Sequence, residues 1–186
     1  MGSILIEAKP LPMDFYLQRL QDVITSAMAE MTPDDLSRHP EGKWCTAEIL
    51  EHLYLSYTGT IKGFERCLNA GKPTATAPSF KQRLATLVVT GFKYMPEGRK
   101  SPKPLIPRGA PPDKIVAAIV PEIAAMGELI QRCEERFGAK TRLLDHPILG
   151  PLTAEQWRKF HWVHGRHHAK QILRLKNTTP SARPQE

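Results

Sequence analysis

Phe160-His161-Trp162-Val163-His164-Gly165-Arg166-His167-His168-Ala169-Lys170-Gln171-Ile172 carries four of the chain's seven histidines within eight residues, and its periodicity is helical. At 3.6 residues per turn, His164 and His168 stand about 40° apart, one turn above the other. Trp157, Phe160, Gln171, Ile172 and Leu175 fall on the same side, whereas Arg158, Lys159, Arg166 and Lys170 fall far round the helix. An apolar stripe of this kind faces a core. The spacing therefore predicts a core-facing helix with two imidazoles among its inward residues. His161 and His167 flank the stripe, about 60° to either side of His164. Trp162, at about 160°, is expected on the outer surface, where a large aromatic can mark an interface.

A buried imidazole needs partners for both ring nitrogens. Two of them at i and i+4 can hold one metal ion from one helix, as in H-E-x-x-H zinc sites. Here Gly165 stands where that glutamate would be, which excludes the zincin reading. This segment by itself leaves two readings open: core and rim histidines satisfied by hydrogen bonds, or a metal site.

Working outward, residues 13–31 read as a first helix, with Phe15, Tyr16, Leu20, Val23, Ala27 and Met31 at threes and fours. Thr32-Pro33-Asp34-Asp35 marks a stop and a one-turn restart, with Thr32 as N-cap and Pro33 at the first helical position. Thr46 can cap a long helix running to about residue 69, stopped by Asn69-Ala70-Gly71-Lys72-Pro73. A shorter helix is expected over 79–93. Residues 95–112 carry six prolines and form a long irregular loop, a length that usually means function or disorder. Another helix runs from Pro112 or Asp113 to Phe137, ended by Gly138 and kinked or split by Pro121. Asp145-His146-Pro147-Ile148-Leu149-Gly150-Pro151-Leu152 reads as a loop, and Thr153 with Gln156 forms a capping box for the last helix, to about Lys176. No alternating strand pattern stands out. The expectation is an all-α helix bundle in one domain, 1–176, followed by a flexible polar tail, 177–186.

Composition narrows the function classes. With 186 residues, 41% hydrophobic and 24% charged, the chain suits one globular domain. No apolar run approaches the roughly 18–20 residues of a membrane span. The first residues lack the pattern of a signal peptide, and Met1-Gly2-Ser3 lacks the Ser or Thr that myristoylation wants at position 6. Three cysteines, Cys45, Cys67 and Cys133, are odd in number and far apart. They argue against a disulfide framework and suit a reducing cytoplasm. The net charge of +7 gathers in the loop (Lys93, Arg99, Lys100, Lys103, Arg108) and in the last helix and tail (Arg158, Lys159, Arg166, Lys170, Arg174, Lys176, Arg183). No nucleic-acid motif accompanies it, so a solvated basic surface is preferred to nucleic-acid binding.

Bundles build metal sites from facing helices. The second long helix offers His52, which flanks its apolar stripe. Ser56 and Gly59 on that side leave room for an ion or ligand, and Glu48, one turn back, can orient an imidazole. A boundary histidine is the plainer reading of His52 taken alone. Together, however, Trp44-Cys45-Thr46-Ala47-Glu48-Ile49-Leu50-Glu51-His52-Leu53 resembles the W-[ST]-x-x-E-I-x-x-H-L motif of the DinB/YfiT-like metalloenzyme family. His164-Gly165-Arg166-His167-His168-Ala169-Lys170-Gln171-Ile172 resembles that family's H-x-x-x-H-x-G-Q-I signature, with Lys170 in place of the usual glycine. The segment from Asp145 to Thr153 is similar to one uncharacterised branch.

The resemblance implies a four-helix bundle, up-down-down-up, with additional short helices, and a divalent metal on His52, His164 and His168. Glu48 and Gln171 would support the ligands, and His161, about 20° from His168 in projection, is a rival ligand. Three protein ligands and an open position form the pattern of a catalytic zinc site. Imidazoles do not choose sharply among metals: zinc or nickel comes first, with iron, cobalt and manganese as alternatives. Some similar proteins transfer low-molecular-weight thiols such as bacillithiol, use mycothiol in isomerisation, or resemble metal-dependent hydrolases. The expectation is a metal-dependent thiol transferase or hydrolase acting on a small molecule, as a homodimer, with the basic loop 95–112 covering the metal. The alternative is a non-catalytic dimeric bundle whose metal is structural or adventitious.

Overall fold

Apolar residues at intervals of three and four wind four long helices onto one core in the computed structural model, which describes residues 14–96, 98 and 100–178. Helix α1 (Phe15–Met28) buries Leu17, Leu20, Ile24 and Ala27. Helix α3 (Thr46–Ala70) buries Ile49, Leu50, Leu53, Tyr57 and Phe64 among others. Helix α5 (Pro112–Phe137) buries Ile115, Ile119, Ile123, Met126, Ile130 and Cys133, and α6 (Ala154–Thr178) completes the set. The main pairings are α1 with α6 and α3 with α5. Fully burying each such side chain contributes roughly 1.5–3 kcal/mol, so these stripes dominate the energetics. The molecule is mostly helical. No helix among the described residues is long and apolar enough to cross a membrane.

Local chemistry sets the boundaries. Asp14 caps α1 by accepting the Tyr16 N–H at 2.8 Å. Helix α2 (Pro33–Ser37) starts with a full capping box between Thr32 and Asp35. Helix α3 is capped one residue earlier than expected. Cys45 is the N-cap, its N–H donates to Glu48 Oε2 at 2.9 Å, and Thr46 is the first helical residue. Gly71, at φ +67°, ends the helix in the left-handed conformation that glycine adopts without strain. Pro121 neither splits α5 nor ends it.

Four expectations need correction. The helix expected over 79–93 is α4 (Phe80–Thr86) running into a π-helical turn, Leu87–Gly91, and Phe80, Leu84, Leu87 and Phe92 on it are exposed. Residues 142–153, read partly as loop, form an antiparallel hairpin of β1 (Arg142–His146) and β2 (Gly150–Thr153), with Leu144 opposite Leu152 and His146 opposite Gly150. The prolines at 147 and 151 hid it: one lies in the turn, and the other is tolerated because each strand has only one neighbour. Trp162 is buried, not outward, since Arg19, Lys93 and Arg166 cover its ring and Tyr16 packs beside it. Arg158, expected on the outer face, is buried as well. Its Nη1 lies 2.7 Å from Glu134 Oε2 on α5, and its Nε lies 3.8 Å from Asp14 Oδ2 at the start of α1. Helix α6 is thus enclosed on more sides than one apolar stripe implies. The residues at 1–13, 97, 99 and 179–186, which include Arg99, Arg183 and most of the expected tail, lie outside the described residues.

Candidate metal centre

His164 and His168 point inward from α6, and α3 brings His52 to meet them across 112 residues of sequence. All three are buried, at 4–8% exposure. His52 Nε2 lies 3.1 Å from His164 Nε2, and His168 Nε2 lies 3.0 Å from the same atom. The three donor nitrogens lie within 4.8 Å of one another. Four ligands at the usual zinc–nitrogen length of about 2.0–2.1 Å stand about 3.3 Å apart at tetrahedral angles, close to the two observed separations.

The outer nitrogens decide the protonation. His52 Nδ1 is 2.9 Å from the Leu105 carbonyl. A carbonyl only accepts, so Nδ1 carries the proton and Nε2 is a lone pair. His168 Nδ1 is 2.7 Å from Gln171 Oε1, also an acceptor, while the Gln171 amide nitrogen faces His167 Nε2 at 3.2 Å. His168 therefore also turns a lone pair toward His164. The Nδ1 of His164 is buried without a hydrogen-bond partner among the described residues. With its one proton on Nε2, His164 serves one neighbour and leaves the other lone pair facing nothing. With the proton on Nδ1, a buried N–H has no acceptor and three lone pairs converge. No neutral tautomer satisfies the cluster; a cation at its centre would take up the three converging lone pairs, with the His164 Nδ1–H still unpaired among the described residues.

Adding protons does not solve the problem. Burial pushes His164 well below the usual histidine range, helped by repulsion from His168 and His52. Burial likewise takes His168 down to about 3 and lowers His52, although the Leu105 carbonyl opposes this. The site holds neutral imidazoles, the form that ligates metal. Phe160 stacks on His164 with ring centroids 5.4 Å apart, and Trp44 tilts against His52 at 5.3 Å.

His161 is placed elsewhere. Thr60 gives its hydroxyl proton to the Ser56 carbonyl at 3.0 Å, so its oxygen accepts from His161 Nε2, also at 3.0 Å. This pairing keeps His161 Nε2 protonated and out of the ligand set. Glu48, expected one turn behind His52, turns away to the Cys45 N–H and to His39 Nδ1 at 3.5 Å. His39, Cys45 and Glu48 form a second group close enough to hold an ion, with His39 exposed. The support expected of Glu48 comes instead from the Leu105 carbonyl and from Ser101 Oγ, 3.3 Å from His52 Nδ1. A backbone carbonyl in an irregular loop leaves no sequence signal. His146 was also missed. Its Nδ1 accepts the N–H groups of Ile148 and Leu149, both at 3.1 Å, which shapes the hairpin turn, and its ring packs on Phe160 at 4.3 Å.

Much of the basic charge on α6 is committed within the fold. Besides Arg158, Lys159 pairs with Glu155 at 2.7 Å and Arg166 donates to the Lys93 carbonyl at 2.7 Å. The three cysteines are buried and free, and burial lifts the Cys133 thiol to about 11.

Compared with known proteins, the chain matches one family model over residues 12–174, described as Protein of unknown function (DUF1569). No curated protein and no solved structure matches it.

Proposed function

The chain belongs to the DUF1569 family, and we propose that it binds a divalent metal through His52, His164 and His168 and uses that ion as a Lewis acid. The observation that carries this reading is the convergence of three Nε2 atoms, two of them held as lone pairs by Leu105 and Gln171. Zinc or nickel suits three imidazoles, with iron, cobalt and manganese next. The resemblance to DinB/YfiT-like proteins points to the same three ligands and to a bundle of that type.

A three-histidine ion with a free position lowers the pKa of a bound water or thiol toward neutrality. The residues around it supply orientation and shelter. Leu105 and Gln171 fix two of the rings, Phe160 and Trp44 wall them in, and the loop over 101–110 lies against α3 beside them. Glu51, next to His52 in sequence, accepts three backbone N–H groups of the loop and is turned to that loop. A nucleophile activated by the ion alone fits this setting, which favours thiol transfer from a low-molecular-weight thiol, or hydrolysis of a small molecule. A second reading, a dimeric interaction module, draws on the exposed Phe80, Leu84 and Leu87 of α4 and the π turn.

The test is metal content by mass spectrometry, on untagged protein purified without metal resin. About one equivalent is expected in the parent and close to none in His52→Ala and His164→Ala, with helicity intact. A parent that carries no ion and takes up neither zinc nor nickel would leave the three histidines as core polar groups.

A further inference from the structure

Glu51 is a buried carboxylate at 4% exposure, a position that costs several kcal/mol unless its oxygens are satisfied. No cation satisfies them among the described residues. Three consecutive backbone N–H groups do: Arg108 donates to Oε1 at 2.9 Å, and Gly109 and Ala110 donate to Oε2 at 3.0 and 3.1 Å. Successive amides aimed at one anion form a nest, and Gly109 at φ +81° provides the left-handed residue that such a turn requires. Three residues before the nest, the 3-10 turn Lys103–Leu105 delivers the carbonyl that accepts His52 Nδ1–H. Apolar burial does little to hold this stretch, because Lys103, Pro104, Ile106, Arg108 and Gly109 are all exposed.

We propose that Glu51 is a positioning residue for the metal centre: by fastening the loop at Arg108, Gly109 and Ala110, it keeps the Leu105 carbonyl on His52 and so holds the His52 Nε2 lone pair toward His164. The inference rests on the three-histidine reading for its purpose, and its geometry can be tested without any metal. Glu51 and His52 are sequence neighbours on α3 whose side chains meet the same loop at its two contact points. One carries the anchor and the other receives the orienting carbonyl.

The experiment is histidine nitrogen NMR on the metal-free full chain, with the His52 signals assigned by their loss in His52→Gln. The parent is expected to show His52 protonated on Nδ1. Glu51→Gln sets an amide donor against the N–H donors, so a tautomer mixture is expected there, together with faster tryptic cleavage after Arg108. Should Glu51→Gln not fold, Gly109→Val strains the nest through the backbone alone, since nothing lies within 4 Å of a Cβ at that position. A His52 tautomer that stays on Nδ1 in both variants would overturn the proposal. In the metal-binding arm, Glu51→Gln is expected to weaken zinc affinity by roughly 10–100-fold, the usual effect of losing a ligand's support, while keeping about one site per chain. Equal affinity in parent and variant also overturns it. A parent that binds no zinc refutes the metal reading, and the tautomer arm then still decides whether Glu51 holds the loop.

Discussion

At the residue scale, the notable quantity is the number of uncharged imidazoles held inside. Burial lowers His161 to about 3 and the partly buried His146 to about 4, neither of them a proposed ligand. In the unfolded chain both titrate near 6.5. Below that value the unfolded state binds more protons than the folded one, so stability is full above pH 6.5 and falls as the pH drops toward the folded values. At pH 5 the fully enclosed His161 is expected to cost about 2 kcal/mol, and the more exposed His146 somewhat less. Urea midpoints measured at pH 7 and pH 5 check this, and a midpoint that does not move contradicts it. Local geometry made part of this legible. His164, His168 and Gln171 share one helical face because 3.6 residues per turn puts them there, and the helix does put them there. The same arithmetic misjudged Arg158 and Trp162, because a residue opposite the main stripe is still buried if a neighbouring element covers it.

At the element scale, α6 and α1 pack closely enough to decide what Gly165 is for. As sequence, Gly165 only excluded a zincin motif. In the structure, a Cβ at Gly165 would overlap the side chain of Leu20 on α1. Two effects oppose each other in Gly165→Ala. Alanine favours the helix by about 1 kcal/mol, whereas overpacking a filled core costs about 1–3 kcal/mol. The second is expected to win, since Leu20 is fully buried and has little room to give. A net loss of up to about 2 kcal/mol in denaturant titration is the expected outcome, and a more stable variant would show that the interface relaxes. The hairpin is the element that periodicity could not show. Two strands of five and four residues with a proline in one of them are too short to alternate visibly, and their pairing depends on a turn shaped by the His146 ring.

For the whole molecule, the three-histidine cluster joins α3, α6 and the loop at Ser101 and Leu105, so an ion bound there should stabilise the fold as a unit. A ligand that binds only the folded state at about 100 times its Kd adds about 2.7 kcal/mol. For a chain of this size that is a rise in Tm of roughly 5–10 °C. Thermal melts with and without zinc are expected to show the shift in the parent and to lose it in His52→Ala. An equal rise in that variant would place the ion elsewhere, with the group of His39, Cys45 and Glu48 the first place to look.

The sequence by itself determined the long helices, the stops at Gly71 and Gly138, the Thr153–Gln156 capping box, and the inward pair His164 and His168. Those features depend on periodicity and on hydrogen bonds spanning three or four residues. It offered His52 as a third ligand only through resemblance to known motifs, since a lone histidine beside an apolar stripe carries no partner in its own neighbourhood. Only the tertiary structure decided that His52 Nε2 meets His164 across 112 residues, that His161 turns to Thr60, and that Leu105 and not Glu48 supports His52. Such choices depend on which helices lie face to face and on where a backbone carbonyl ends up, and neither is encoded in the identity of the residues near the site.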